Sequence, residues 1–296
     1  MSVLPLPGFH EPVSSLAHLG GALAFGLLSI PLLRRARGEG LRVVFFSLYA
    51  ASCVLLLSMS GVFHMLPEPG GARAVLGRLD KAAIFVLIAG THTPVHGLFF
   101  RGAARWVVLI AMWSAVAVGI TFFTVFYDHL PRGLGTGIYL LLGWLASLSG
   151  LVLWRSLGTA QVSLLLAGGV AYSIGAILLG LDWPNLVPGL FGAHELWHMA
   201  VLAGMGLHWV FLFKHARQPT QGPSLPAARA VAAQVAAAIL AFLGSSGQPR
   251  PRGAVPPRGG GGGGGGALAW LLLGLRGMLI ERPPPPPPTH ARNTDL

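Results

Sequence analysis

Two histidines four residues apart, His194 and His198, stand near the start of an apolar run that ends near Phe213. In an α-helix this spacing places both side chains on one face, about one turn apart, so both imidazoles can turn toward one point. Ionisable side chains inside a membrane span are rare and costly, and they usually mark a functional site. The pair is therefore a candidate for part of a metal site, provided that further ligands reach the same level.

Three more residues could complete such a site: His64, Asp80 and Ser60. Three imidazoles, with His64 joining the pair, leave a fourth position for water, which is the open arrangement of a catalytic zinc site. Imidazole also suits copper, nickel and iron, and the availability of zinc favours Zn²⁺. Asp80 could be a fourth ligand, or it could hold and deprotonate a water molecule on the metal. Ser60 is suited to a supporting hydrogen bond or to stabilising a developing oxyanion.

The chain that must position these groups has the composition of a membrane protein. Its 296 residues are 53% hydrophobic and 10% charged, with a mean hydropathy of +0.67, whereas soluble domains carry about 25% charged residues. The net charge of +11 divides into +4 for residues 1–213 (11 basic minus 7 acidic) and +7 for residues 214–296 (9 minus 2). Most of the excess lies in the tail, and basic loops are expected of membrane proteins, so we predict no nucleic-acid partner.

Seven apolar stretches are long enough to span a bilayer. They cover residues 14–33, 43–63, 82–100, 104–126, 134–154, 160–180 and 193–213. They predict an all-α, polytopic integral membrane protein with seven transmembrane helices, located in the cell (plasma or inner) membrane. Arg101 and Arg105 favour separate third and fourth helices over one broken element. Because the connections are short, sequential helices should be antiparallel neighbours.

The alternation of seven spans brings the polar groups to the side that holds the N-terminus, which we call face A. Odd-numbered spans begin at face A and even-numbered spans end there. His64 closes the second span and Asp80 opens the third, while the histidine pair opens the seventh, so all four groups lie within about a turn or two of one boundary. The residues that open the first span at the same level, and could support the metal ligands, are Glu11, Ser14 and His18.

The residues after the seventh span have a different character. They are rich in Pro, Gly and Ala and include Gly259–Gly266 and Pro283–Pro288. Homopolymeric Gly and Pro cannot form a packed core, so we predict a largely disordered, low-complexity tail. An Ala-rich segment, 227–244, predicts either an interfacial helix or a marginal eighth span. We therefore divide the chain into a seven-helix domain, 1–217, and a tail, 218–296.

Three other histidines, His92, His96 and His208, are too far away to share this metal. His92 and His96 follow the aspartate by 12 and 16 residues, which is roughly 18 and 24 Å along a helix at about 1.5 Å per residue. Pro94 between them is expected to disturb the helix. His208 lies roughly 21 Å beyond the first histidine of the seventh span by the same rise, so a packing or polar contact is predicted for it.

Several motifs occur together in the order and spacing of a known family. They are Ser60-Gly-Val-Phe-His64, Arg78-Leu-Asp80, Ile88-Ala-Gly-Thr-His-Thr-Pro94, Gly169-Val-Ala-Tyr-Ser-Ile-Gly175 and His194-Glu-Leu-Trp-His198, preceded in the first span by Glu11 to His18. Over residues 10–215 the chain resembles the hemolysin III family. That family is the bacterial branch of the progestin and adipoQ receptor group, within the wider superfamily that includes the alkaline ceramidases. His92 departs from the resemblance, since an aromatic residue is more usual there.

The resemblance implies that His64, His194 and His198 bind zinc, that Asp80 holds a metal-bound water, and that Ser60 lies beside them. It also implies ceramidase-like hydrolysis of a lipid amide or ester, with a membrane lipid as substrate or ligand. Two other functions stay open: a non-enzymatic membrane receptor or regulator with structural zinc, and a cytolytic or pore-forming hemolysin. The polar groups cluster at one face instead of forming a stripe through the bilayer, which speaks against a wide pore.

Two signals disagree on which side of the membrane face A lies. By the predicted topology, nine Lys or Arg side chains lie on the opposite face and four on face A, which favours the opposite face as cytoplasmic. The resemblance implies the reverse, with the N-terminus and the metal on the cytoplasmic side. Both orientations stay open.

Overall fold

The computed structural model describes residues 6–131 and 133–218, all of them in one compact unit. These residues form seven α-helices and one 3-10 turn, with no β-strand among them, so the prediction of an all-α protein is confirmed. The helices are α1 (Pro12–Ala36), α2 (Gly40–Met65), α3 (Gly71–Phe99), α4 (Gly102–Val125), α5 (Leu134–Leu157), α6 (Thr159–Leu181) and α7 (Ala193–His215). The 3-10 turn, Tyr127–His129, lies between α4 and α5. The predicted disordered tail, with its Ala-rich segment, lies outside the described residues from position 219 onward.

All seven helices are long and apolar enough to cross a membrane, which confirms an integral membrane protein. The shortest span has 22 residues, which at about 1.5 Å per residue covers the roughly 30 Å hydrocarbon core of a bilayer. Many large apolar side chains are exposed on the outer faces of the helices, among them Leu23, Val107, Ile110, Val118 and Ile177. A lipid-facing surface requires such side chains. The third and fourth helices are separate, as predicted.

α3 begins at Gly71, eleven residues before the apolar stretch at 82 that predicted it (82 − 71 = 11). Apolarity marks the embedded part of a helix, whereas polar contacts hold these additional turns. The Arg73 guanidinium donates to the backbone carbonyls of Phe63 and Leu66 at the end of α2. Asp80 therefore lies inside a continuous helix and not at its start, which corrects the predicted position.

Pro94 lies in the interior of α3, and the helix continues without a break to Phe99. Pro94 therefore does not end or divide the helix. Transmembrane helices tolerate proline because neighbouring helices and local adjustments satisfy the freed backbone groups. His92 and His96 consequently lie on the same continuous helix as Asp80.

Six helices form a closed ring in the order α1, α2, α3, α5, α6 and α7, with α7 packing back against α1. α4 packs against α3. α3 is the most buried of the seven spans, because it contacts α2, α4, α5 and α7. This arrangement brings the face-A ends of α1, α2, α3 and α7 next to one another.

Small residues let these helices approach closely, as they do in other membrane bundles. A Cβ atom on Gly204 of α7 would lie 2.7 Å from Cζ of Tyr172 on α6. A Cβ atom on Gly168 of α6 would lie 2.3 Å from the His208 ring. The glycines of α6 and α7 therefore set the rotation of each helix and direct Tyr172 and His208 toward the bundle interior.

Candidate metal centre

Three imidazoles from α2 and α7 converge at one end of the bundle. Nε2 of His194 lies 3.5 Å from Nε2 of His64 and 3.0 Å from Nε2 of His198. One ring nitrogen from each of the three lies within 4.8 Å of those of the other two. His64 and His198 are buried, and His194 is half-buried. This cluster could hold a metal ion.

The backbone before α1 is tied to the end of α2. The N–H groups of His10 and Glu11 donate to the carbonyls of Met65 and His64, at 3.1 and 3.0 Å. This pairing places the Glu11 carboxylate beside the His64 ring, with Oε2 2.6 Å from Nδ1. A carboxylate accepts, so Nδ1 of His64 carries a hydrogen, and Nε2 is the ring nitrogen that faces the centre.

Arg73 of α3 is the second partner of Glu11. Its guanidinium donates to the other carboxylate oxygen and lies over the Phe63 ring, 4.6 Å from the centroid. Burial raises the pKa of Glu11, but the hydrogen bond and charge of His64, followed by those of Arg73, outweigh it and lower the pKa to about 2. Glu11 is therefore a carboxylate at neutral pH and a permanent acceptor for the His64 ring.

His18 of α1 contacts the second buried imidazole. Its Nε2 lies 2.8 Å from Nδ1 of His198, and the two rings meet edge-on with centroids 4.0 Å apart. Hydrogen bonding at Nδ1 fixes the orientation of an imidazole whose Nε2 faces a metal. The two buried imidazoles, His64 and His198, thus each have a partner from the N-terminal part of the chain.

Ser14 of α1 contacts Glu195 in the first turn of α7. Glu195 Oε2 accepts the N–H of Gly192 at 2.8 Å, and Oε1 accepts the Ser14 hydroxyl at 3.1 Å. The acid thereby satisfies a free N–H group at the beginning of the helix that carries His194 and His198. Ser14 is placed against this helix start, where it ties α1 to α7.

Ser60 of α2 and Asp80 of α3 meet beside the imidazoles. The Ser60 hydroxyl lies close enough to the Asp80 carboxylate to interact with it. Both line one internal cavity together with the three imidazoles and His18. A carboxylate in this position can accept a proton or hold a water molecule, while the serine hydroxyl orients it.

The cavity has a volume of about 340 Å³, which is within the range of roughly 300–1,000 Å³ for small-molecule sites. The imidazoles and Asp80 form one end of it, and His92 and His208 line it farther along α3 and α7. The side chains between the two ends are mainly apolar and include Leu56, Ile84, Leu87, Ile88, Leu140 and Val201. Polar groups at the ends and apolar walls between them suit an amphiphilic molecule.

The family described as haemolysin-III related matches residues 9–209, more than half of the chain. The protein belongs to the haemolysin-III-related family. The match runs from before Glu11 to beyond His208, so it covers every residue of the centre, and it confirms the family predicted from the motifs.

Two curated relatives share most of their length with this haemolysin-III-related protein. Hemolysin-3 of Bacillus cereus is 32% identical over 199 residues, which cover 67% of this chain and 87% of that protein. The Hemolysin-3 homolog of Bacillus subtilis (strain 168) is 33% identical over 184 residues, which cover 60% of this chain and 83% of that protein. Both alignments are about as long as the seven-helix part of the chain.

Sequence reasoning about this haemolysin-III-related protein missed Arg73 and the α5–α6 wall of the cavity. From the sequence, Arg73 is only a basic residue at face A. The one feature that could have suggested its contact with Glu11 is the opposite charge of the two side chains. Tyr139 lines the cavity and donates to the carbonyl of Lys81 at 3.1 Å, and Trp144 lines it and donates to Ser173 at 3.0 Å. No spacing in the sequence relates α5 to α3 or α6, because these contacts depend on how the helices pack.

Proposed function

We propose that this protein is a zinc-dependent hydrolase that cleaves an amide or ester bond of a membrane lipid. The observation that carries the proposal is the convergence of three imidazole nitrogens at one end of an apolar cavity that also holds the Ser60–Asp80 pair. Trp144 lines the cavity and is 44% exposed on the outer surface of α5. This wall is therefore close to the surrounding lipid, which supports entry of the substrate from the bilayer.

The donor set suits zinc. Nitrogen ligands that lie about 2.0–2.1 Å from a tetrahedral zinc ion are roughly 3.3 Å apart. The separations of 3.0 and 3.5 Å between the Nε2 atoms lie on either side of that value. With Nδ1 of His64 committed to Glu11, its Nε2 is the nitrogen left to bind a cation between the three rings. Three protein ligands leave a position open, as in catalytic zinc sites.

A zinc ion held by His64, His194 and His198 would polarise the lipid carbonyl and lower the pKa of water at the site. The chain's own residues supply the remaining chemistry. Asp80 accepts a proton from the attacking water at its carboxylate and returns it to the leaving amine or alcohol. Ser60 donates to Asp80 and keeps the carboxylate turned toward the centre. The apolar walls receive the hydrocarbon chain and exclude bulk water.

Metal analysis of the purified protein, combined with a ceramide-type hydrolysis assay, tests the proposal. We expect about one zinc ion per chain and release of fatty acid that stops on chelation and returns with added zinc. Bound zinc without hydrolysis of any lipid amide or ester would favour the alternative, a non-enzymatic receptor or regulator in which zinc is structural.

A cytolytic function is the second candidate, since the curated relatives are named Hemolysin-3. The apolar side chains between the two ends of the cavity argue against an aqueous path through the bundle. We therefore expect lipid vesicles that contain the protein to release no more trapped dye than protein-free vesicles. Release that grows with the amount of wild-type protein, and persists when the zinc ligands are replaced, would support cytolysis instead.

Glu11→Gln is expected to weaken zinc binding by about 10–100-fold, the usual effect of removing a partner that orients a ligand. The neutral amide holds the His64 N–H less strongly, and it removes one of the two carboxylates that pair with Arg73, leaving only that of Glu68. Titration of the purified protein with zinc against a competing chelator measures the change.

Glu39→Gln is the matched control for this substitution. It removes a carboxylate that also pairs with an arginine, Arg42 at 2.8 Å, but at the opposite end of α2. Its zinc affinity should equal that of the wild type. An equal loss of zinc affinity in both variants would indicate a general effect of charge. It would contradict a specific role of Glu11 in orienting His64.

A further inference from the structure

We infer that the far end of the cavity, formed by His92 and His208, binds a hydroxyl group on the hydrocarbon chain of the lipid. The inference rests on the proposed function, because it concerns the other end of the same substrate. It makes the preferred substrate a lipid whose acyl chain carries a hydroxyl group far from the scissile carbonyl.

Both imidazoles present a lone pair. Nδ1 of His92 lies 2.8 Å from the carbonyl oxygen of Ile88, and Nε2 of His208 lies 3.0 Å from that of Leu165. A carbonyl only accepts, so these nitrogens carry the hydrogens, and Nε2 of His92 and Nδ1 of His208 are acceptors. Both side chains are 7% exposed, and a charged imidazole there would lack a counter-ion among the described residues at this end. Both rings are therefore neutral acceptors.

The acceptor of His208 is unsatisfied. Its Nδ1 is buried and has no hydrogen-bond partner within the described part of the chain. The opposite edge of the ring is pressed against α6, where a Cβ atom on Gly168 would lie 2.3 Å from Nε2. Nε2 is therefore engaged by the Leu165 carbonyl, and Nδ1 is the ring nitrogen left without a donor. A buried acceptor without a donor costs free energy, and a ligand that brings a donor recovers it.

One hydroxyl on the cavity wall, that of Ser147 on α5, is already committed. Ser147 lines the cavity, and its Oγ donates to the carbonyl of Gly143 at 2.8 Å. Tyr172 contacts His208 through its ring, with centroids 5.6 Å apart. The donor must come from a neutral group on the ligand, because an ammonium group would bring an unpaired charge into an apolar cavity. A hydroxyl meets both requirements, whereas a ketone or ether offers only acceptors.

Helix geometry gives the distance between the two ends. His208 follows His198 by ten residues on α7, and His92 follows Asp80 by twelve on α3, which is about 15 and 18 Å at 1.5 Å per residue. A fully extended chain advances roughly 1.2 Å per bond. The hydroxyl should therefore lie about twelve to fifteen bonds from the carbonyl that is cleaved.

The proposed hydroxyl site is tested by measuring the binding of three fatty acids of about fourteen carbons. One carries a terminal hydroxyl, the second carries the methyl ether of that hydroxyl, and the third is unsubstituted. Displacement of a fluorescent fatty acid from the full-length protein, with and without zinc, gives their Kd values. We expect the hydroxy acid to bind about tenfold more tightly than either of the others, since only it can donate to the imidazoles. Equal affinities would overturn the inference.

Three variants test which residues cause the preference for the hydroxy acid. His92→Phe and His208→Phe should each reduce it to less than about threefold, because each removes an acceptor and keeps an aromatic ring. His96→Phe is the control: His96 is buried on α3 one turn from His92 but does not line the cavity, so the preference should stay tenfold. If His208→Phe does not fold, the Kd values of the three fatty acids for the wild type and for His92→Phe still test the inference. A preference that survives in every folded variant of the two cavity histidines contradicts the assignment.

The binding assay separates this inference from the proposed function because it requires no turnover. Hydrolysis without a preference for the hydroxy acid would overturn the inference and leave the hydrolase intact. A preference without hydrolysis would overturn the hydrolase and keep the hydroxyl site as part of a ligand-binding cavity.

Discussion

His198→Ala is expected to lower zinc affinity by more than about 100-fold, beyond the loss predicted for a supporting residue such as Glu11, and to abolish lipid hydrolysis. The variant keeps only two of the three imidazole ligands, which bind zinc much more weakly than three. It also leaves His18 without its partner, which lies 2.8 Å away in the wild type. Zinc content after dialysis, measured by atomic emission, and fatty-acid release from a ceramide-type substrate check the two effects on one sample.

His215→Ala is the matched control for the loss of a buried histidine. His215 lies on the same helix and is 3% exposed, as His198 is. It contacts the carbonyl of Phe211 and the side chain of Gln161 at the other end of α7. This variant should keep its zinc and its turnover. Loss of zinc from both variants would indicate unfolding, and retention of zinc by His198→Ala would disprove the three-imidazole centre.

Asp80→Asn is expected to keep zinc and to lower kcat by about 10²–10⁴-fold, the usual contribution of a positioned general base. Asparagine has nearly the same shape and can still contact the Ser60 hydroxyl, but its amide cannot take a proton from water. The change should fall on kcat with little effect on KM, because the apolar walls that bind the lipid are unaltered. Zinc content and steady-state kinetics of the purified variant measure both parts of the prediction.

Asp182→Asn provides the comparison for this substitution. Asp182 is exposed at the end of α6 and has a positive φ of 49°, a conformation that asparagine tolerates as readily as aspartate. Its turnover should match that of the wild type. If Asp80→Asn also turns over lipid normally, Asp80 is not the base, and the receptor alternative gains support.

The N-terminal segment contacts both α2 and α7, and in the proposed function these contacts orient the imidazoles that bind zinc. Glu11 contacts His64, and His18 contacts His198, so α1 and the residue that precedes it supply the partner of each buried imidazole. Ser14, between these two positions, joins α1 to the start of α7 through Glu195. A displacement of α1 would therefore alter both imidazoles at once, which makes this helix part of the centre although it supplies none of the three nitrogens.

The sequence by itself determined the number of spans and the level of the polar groups. In a bilayer, each spanning segment must satisfy its own backbone and be apolar along its whole length, so the signal for a span is local and can be read from hydropathy. Alternation of direction then decides which helix ends share a face. His64, Asp80, His194 and His198 could be assigned to one level in this way, although up to 134 residues separate them (198 − 64 = 134).

Only the tertiary structure decided the rotation of each helix and therefore the partners of each side chain. Hydropathy shows how deep a residue lies but not which neighbour it faces, since rotation depends on the packing of small residues such as Gly168 against side chains of another helix. For this reason the pairing of Glu11 with Arg73, the contact of Ser14 with Glu195, and the extension of one cavity from the imidazoles to His208 could not be read from the chain. The start of α3 at Gly71 was missed because polar contacts of Arg73, and not apolarity, hold its first turns.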